Sequence, residues 1–112
     1  MHELSIAENL LELVDKYRAE KGFTRCSSIR LRIGLLAAVD EEALRFAVEA
    51  LTEGGPDAGV SLEVERTFPL ARCSCGNSFE VQDLIYLCER CGSTSARLSG
   101  GDELDILHLE VD

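Results

Sequence analysis

The chain has 112 residues, 46% of them hydrophobic, with no tryptophan and a formal net charge of −10 at pH 7. That length supports one ordinary domain, or a small domain carrying an appendage, around a core of Leu, Val, Ile and Ala. The acid excess argues against nucleic-acid binding, which needs clustered Lys and Arg to neutralise phosphates, and against adhesion to an anionic membrane.

In chain order, Leu4, Ala7, Leu10, Leu11, Val14 and Tyr17 recur at helical spacing. They predict a first helix over residues 4–20, stopped near Gly22. Ser5 and Glu8 have capping-box spacing, which would start the helix one turn later; the fit of Leu4 to the apolar stripe favours the terminus itself as the first turn. Ile29, Leu31 and Ile33 alternate with Arg30 and Arg32 and predict a strand with one buried face, which the apolar run 35–39 could extend. Ala43, Leu44, Ala47, Val48 and Leu51 predict a second helix. Asp40 is placed as its N-cap, Glu41 and Glu42 favour its first turn, and Gly54, Gly55 and Pro56 end it.

Residues 60–65 alternate again as a second strand, punctuated by Pro69. The cysteine-rich segment runs from Cys73 to Cys91, and Ser99, Gly100 and Gly101 make a flexible return. The closing ELDILHLEV predicts a third strand whose alternation changes phase near Ile106 and Leu107, as a bulge would make it do. The order helix, strand, helix, strand, cysteine insert, strand predicts an α+β fold. Two helices would lie on a three-stranded sheet in a two-layer α/β domain, residues 1–68 and 100–112, with the cysteine-rich segment as a small inserted domain at residues 69–99.

No apolar run approaches transmembrane length and no basic-then-apolar leader opens the chain, so the expected location is the cytoplasm. In that compartment five cysteines point to metal more than to disulfides. Four of them, Cys73, Cys75, Cys88 and Cys91, are spaced C-x-C, twelve residues, C-x-x-C. Four thiolates hold Zn(II) tetrahedrally, and cysteines two apart on an extended backbone point to the same side. Gly76 and Gly92 follow the pairs, where tight turns bring backbone amides toward sulfur. Phe79, Val81, Leu84, Ile85 and Leu87 make only a minor core, so a structural zinc would offset much of the ordering entropy. A catalytic zinc would need an open position and a base, and no His or Glu in the segment supplies that pattern. A dithiol switch suits the two pairs less well than a closed four-sulfur site. Cys26 stands apart, as a small buried residue or an idle thiol.

The opening MHELSIAENLL places His2 beside the terminal amine. Taken alone, His2 is an exposed histidine, Glu3 complements a helix dipole and Asp40 caps a helix. An imidazole, the amine and the first amide nitrogens are nevertheless close along the chain, and Ni(II) accepts tetragonal nitrogen and oxygen ligation. His108 falls within the third strand and is given no metal role. No P-loop is present, so any nucleotide chemistry would have to come from a partner.

The whole chain resembles the HypA/HybF family of hydrogenase-maturation nickel metallochaperones. The resemblance rests on MHELSIAENLL, on RLRIG followed by AVDEEALRFAVEAL, on VSLEVE and on the two-pair cysteine module. It implies a protein without catalysis that binds Ni(II) as transient cargo through Met1, His2, Glu3 and Asp40. It further implies structural Zn(II) on Cys73, Cys75, Cys88 and Cys91, and delivery with a maturation GTPase to the [NiFe]-hydrogenase large subunit, some members also serving a urease accessory system. The chain departs from the family pattern in its first pair, C-x-C rather than C-x-x-C, and in Leu35, where members commonly carry a glutamate. The competing reading is a small zinc-ribbon adaptor with no nickel cargo.

Overall fold

A computed structural model of the chain describes residues 2–112. The elements in order are α1 (His2–Lys21), β1 (Cys26–Gly34), a 3-10 turn (Leu35–Ala37), α2 (Glu41–Thr52), β2 (Ser61–Thr67), β3 (Leu70–Cys73), β4 (Ser78–Glu80), β5 (Ala96–Ser99) and β6 (Leu104–Val111). One sheet has the order β2-β1-β6 and the other β4-β3-β5. Contacts divide the chain into two compact units. The first is Met1–Leu31, Val39–Val64 and Ile106–Asp112, and the second is Arg32–Ala38 and Glu65–Asp105.

In the first unit α1 and α2 pack together. Ala7, Leu10 and Val14 recur on one side of α1, and Leu44, Ala47 and Val48 on one side of α2, and all six are buried with Ile29, Leu31 and Leu62. The predicted α1 stripe needs one correction. The helix does begin at the terminus, but Glu3 occupies the buried position that precedes Ala7, while Leu4, one residue and about 100° further round, is exposed. The α2 prediction holds for the helix and for its cap, where the Asp40 side chain accepts from the Ala43 amide, but Leu51, predicted on the apolar stripe, is exposed in the last turn and Thr52 is buried instead.

The Arg30–Glu63 and Arg32–Glu65 ion pairs advance together along β1 and β2, as neighbours do in a parallel pair joined by a helical crossover. The Thr24 amide donates to the Asp112 carbonyl and the Asp112 amide to the Arg25 carbonyl, so β6 runs antiparallel to β1. β6 is unbroken, and its change of phase is met by Ile106 and Leu107 both being half-buried.

One feature of the first unit has no counterpart in the sequence pattern. Asp57, after the end of α2, is buried and accepts from both the Arg18 guanidinium and the Cys26 amide, the latter at 2.8 Å. Arg18 also pairs with Asp15 and lies over the Phe23 ring at 5.2 Å. This one carboxylate therefore ties the last turn of α1, the start of β1 and the segment after α2 together.

In the second unit β3 pairs antiparallel with β4, Ala71 opposite Phe79, and with β5, Ala71 opposite Leu98. Ile33, Ala71 and Val81 are its buried aliphatic residues. The run 35–39 does not extend β1. The Leu36 amide turns to the Gly101 carbonyl at 2.7 Å, and Ala38 is left-handed at φ 53°, which ends extended structure. Gly34 and Gly101 are obligatory there. A Cβ on Gly34 would fall on the Gly101 carbonyl, and one on Gly101, at φ +78°, would lie 2.5 Å from the Pro69 nitrogen.

Candidate metal centres

The cysteine cluster is built by two turns. Cys73 ends β3, its amide donates to the Asn77 carbonyl at 2.9 Å, and the Gly76 amide returns to the Cys73 carbonyl at 3.0 Å. The Gly92 amide does the same for the Cys88 carbonyl at 2.7 Å. Gly76 (φ 97°) and Gly92 (φ 76°) take left-handed conformations that a side chain would disfavour. The four sulfurs converge within 4.8 Å of one another. Cys73 Sγ lies 3.5 Å from Cys91 Sγ, and Cys75 Sγ lies 3.7 Å from Cys88 Sγ. Sulfurs around a tetrahedral zinc at about 2.3 Å are about 3.8 Å apart, so the group fits structural zinc. The one-residue spacer does not exclude Cys73.

The protonation of the cluster favours a cation. The Asn77 side-chain amide donates to Cys88 Sγ at 3.5 Å, and with the Cys91 and Arg90 amides it pulls the Cys88 thiol down to about 6. Asn77 was not legible as a contributor from the sequence; its place two residues after Cys75 was the only signal. Cys73 is also lowered, by the Cys75 amide and the Cys91 sulfur. Cys91 goes the other way: the Ser93 amide favours its thiolate, but the neighbouring sulfurs and burial push it up to about 12. Four thiolates so close repel one another, and a divalent cation removes that repulsion.

At the chain start, Met1 lies outside the described residues. His2 is exposed, its side chain 56% accessible, with Nε2 3.5 Å from Glu3 Oε2. Buried Glu3 reaches across to the start of α2, where Oε2 accepts from the Asp40 amide at 3.1 Å. That bond, helped by Glu3's own amide and the His2 charge, holds the Glu3 carboxyl at about 2. Glu3 thus links His2 to Asp40. The Asp40 carboxylate is engaged with its own helix, Oδ1 accepting from the Ala43 amide at 3.2 Å. Among the described residues, the cysteines are the group of three or more side-chain ligands whose atoms converge for a metal.

The remaining candidates stand apart. Cys26 is buried, its sulfur 3.5 Å from the Ser28 carbonyl, and burial pushes its thiol up. His108 is exposed on β6. Among the described residues no helix is long and apolar enough to cross a membrane.

The chain is similar to known proteins along its length. A family model described as hydrogenase/urease nickel incorporation, metallochaperone, HypA, matches residues 1–111. The hydrogenase maturation factor HypA of Syntrophus aciditrophicus is 39% identical, and that of Azotobacter vinelandii 38% identical, each over the whole of both chains. The solution structure of the Ni metallochaperone HypA from Helicobacter pylori superposes with a TM-score of 0.64 at 24% identity, covering 99% of this chain and 97% of that one. A second solution structure of a HypA protein gives 0.66 at 24% identity, covering 99% and 96%. Both structures share the fold.

Proposed function

We propose, from the premise that this chain belongs to the HypA family of hydrogenase-maturation nickel metallochaperones, that it carries Ni(II) at its N-terminus. The cargo would be held by Met1, His2, Glu3 and Asp40. It would be delivered, with a maturation GTPase, to the large subunit of [NiFe]-hydrogenase, with no catalysis by this chain. Zn(II) on Cys73, Cys75, Cys88 and Cys91 would be structural, within an inserted domain at residues 69–99, and the remainder, residues 1–68 and 100–112, would form the nickel-binding domain.

The observation that carries the nickel reading is the Glu3 bridge. Its Oε2 stands 3.5 Å from His2 Nε2 and 3.1 Å from the Asp40 amide, so a helix start and a helix cap remote in sequence meet at one carboxylate. Imidazole, amide nitrogen and carboxylate are ligand types that suit Ni(II). An exposed site at a chain end reorganises little protein when it opens, as a donor of metal requires. Imidazole and amide ligands must be deprotonated to bind, so nickel affinity falls with acid. Zinc bound by the cysteines would supply a cross-link among β3, the 74–77 turn and the 88–92 turn.

The test is a calorimetric nickel titration of protein with a native, untagged terminus beside His2→Ala, with zinc assayed in both. The reading requires that the native protein take up one nickel, that His2→Ala take up none, and that both keep one zinc. Equal nickel uptake by both would move the function to the cysteine module and favour an adaptor.

A further inference from the structure

Between the two cysteine pairs, the segment 82–87 has no helix or strand and turns its apolar residues outward. Leu84, Ile85 and Leu87 are 61%, 89% and 54% exposed. Single exposed aliphatic residues are ordinary on a protein surface; three within four positions form a patch. The patch adjoins a cavity of about 440 Å³, within the size range of clefts that hold small ligands or a few side chains. Its apolar lining comes from Phe79, Val81, Ile85, Tyr86 and Leu87. Tyr86 is braced by Phe79, ring centroids 6.2 Å apart. The charged residues of the lining are Glu80, Asp83 and Glu89, and among the described residues no Lys or Arg lines it.

We infer that this cleft is a protein-docking site for a segment presenting Lys or Arg beside an apolar side chain. The apolar floor rewards burial of an aliphatic or aromatic group. The three carboxylates are complementary to flanking cations and repel acidic sequences, which sets specificity and association rate more than affinity. A second copy of this chain is a poor occupant, because it brings a net charge of −10 to an acidic rim. The inference does not depend on nickel at the terminus: the cleft lies within the second unit, and none of its residues belongs to the nickel set proposed above.

The experiment uses the zinc-loaded full chain, titrated with three capped tetrapeptides in which leucine and phenylalanine are flanked by lysines, glutamines or glutamates. Backbone amide NMR shifts are the readout. The lysine peptide should bind saturably, at least fivefold tighter than the glutamine peptide, moving the amides of residues 79–89, while the glutamate peptide should not bind. Ile85→Ser with Leu84→Ser should abolish binding. The triple variant Glu80→Gln, Asp83→Asn, Glu89→Gln should bring the lysine peptide to the glutamine level with zinc content unchanged. These side chains are on the surface, so loss of fold is not the expected result, and retained zinc checks it. His2→Ala should bind like the native chain, which separates this proposal from the nickel reading. No saturable binding, equal binding of the three peptides, shifts outside the cleft, or a concentration-dependent dimer abolished by Ile85→Ser would each overturn it.

Discussion

In the cysteine cluster four sulfurs already stand within 4.8 Å of one another, two of them on buried residues and two on exposed ones. At the chain start, His2 is more than half exposed and its nearest described carboxylate is engaged with a backbone amide. The first arrangement is closed, with sulfurs gathered at spacings that suit a tetrahedral ion; the second is open and would have to rearrange to take one. The units around them differ in the same sense. The first has an aliphatic core contributed by two helices and a sheet, whereas the second has few buried aliphatic residues and three short strands. A unit with so little apolar burial would depend on a metal for its order, whereas a unit with its own core could hold a metal without depending on it.

The largest test of that difference is Cys88→Ser. Structural zinc contributes on the order of 10–16 kcal/mol in zinc-finger peptides. Loss of a ligand should therefore release zinc and remove amide protection from β3, β4 and β5 while α1 and α2 stay protected in hydrogen exchange. Persistent protection in the zinc-free second unit would show that it folds unaided. Next is Asp57→Ala, which strands a partly buried Arg18 and the Cys26 amide. It should cost about 3 kcal/mol in urea unfolding followed by helical circular dichroism, with zinc retained. A third variant, Asp40→Ala, removes the α2 cap and should cost about 1 kcal/mol, while Asp40→Asn, which keeps an acceptor, should cost much less.

A smaller effect is expected from pH. The Glu3 carboxyl is lowered from 4.5 to about 2 in the folded chain, so the folded state holds its charged form more strongly than the unfolded chain does. Its contribution is complete above the ordinary carboxylate range and is lost as pH falls from there toward 2. Urea midpoints measured between pH 6 and pH 3 should fall less steeply in Glu3→Gln than in the native protein. The smallest effect belongs to His2→Ala, an exposed substitution, which should leave stability within about 0.5 kcal/mol even though it removes the proposed cargo site. A large drop in its melting temperature would mean that the open site also holds the fold.

The elements with strong periodicity were legible. β1 alternates because one face is buried, and α2 carries cap, acidic first turn and apolar stripe in agreement. The cysteine cluster was legible because ligand type and spacing are local. Leu4 misled, since periodicity cannot distinguish an exposed leucine from a buried one when an adjacent glutamate has a backbone amide partner waiting 37 residues away. The run 35–39 misled because apolar content says nothing of the Gly101 carbonyl that bends it. The strands β3, β4 and β5 were not predicted, being only three or four residues long and ordered by pairing rather than by pattern.

The sequence by itself determined the order of the main helices and strands, the cap at Asp40, the four-cysteine spacing and the family resemblance. All of these follow from local backbone preference and residue chemistry. Only the tertiary structure decided that Glu3 would reach the Asp40 amide, that Asp57 would clasp Arg18 and Cys26, that Asn77 would serve Cys88, and that Leu84, Ile85 and Leu87 would face outward. Each of these depends on which backbone and side-chain groups, separate along the chain, packing brings within reach or leaves uncovered, and that is not written in any short stretch of residues.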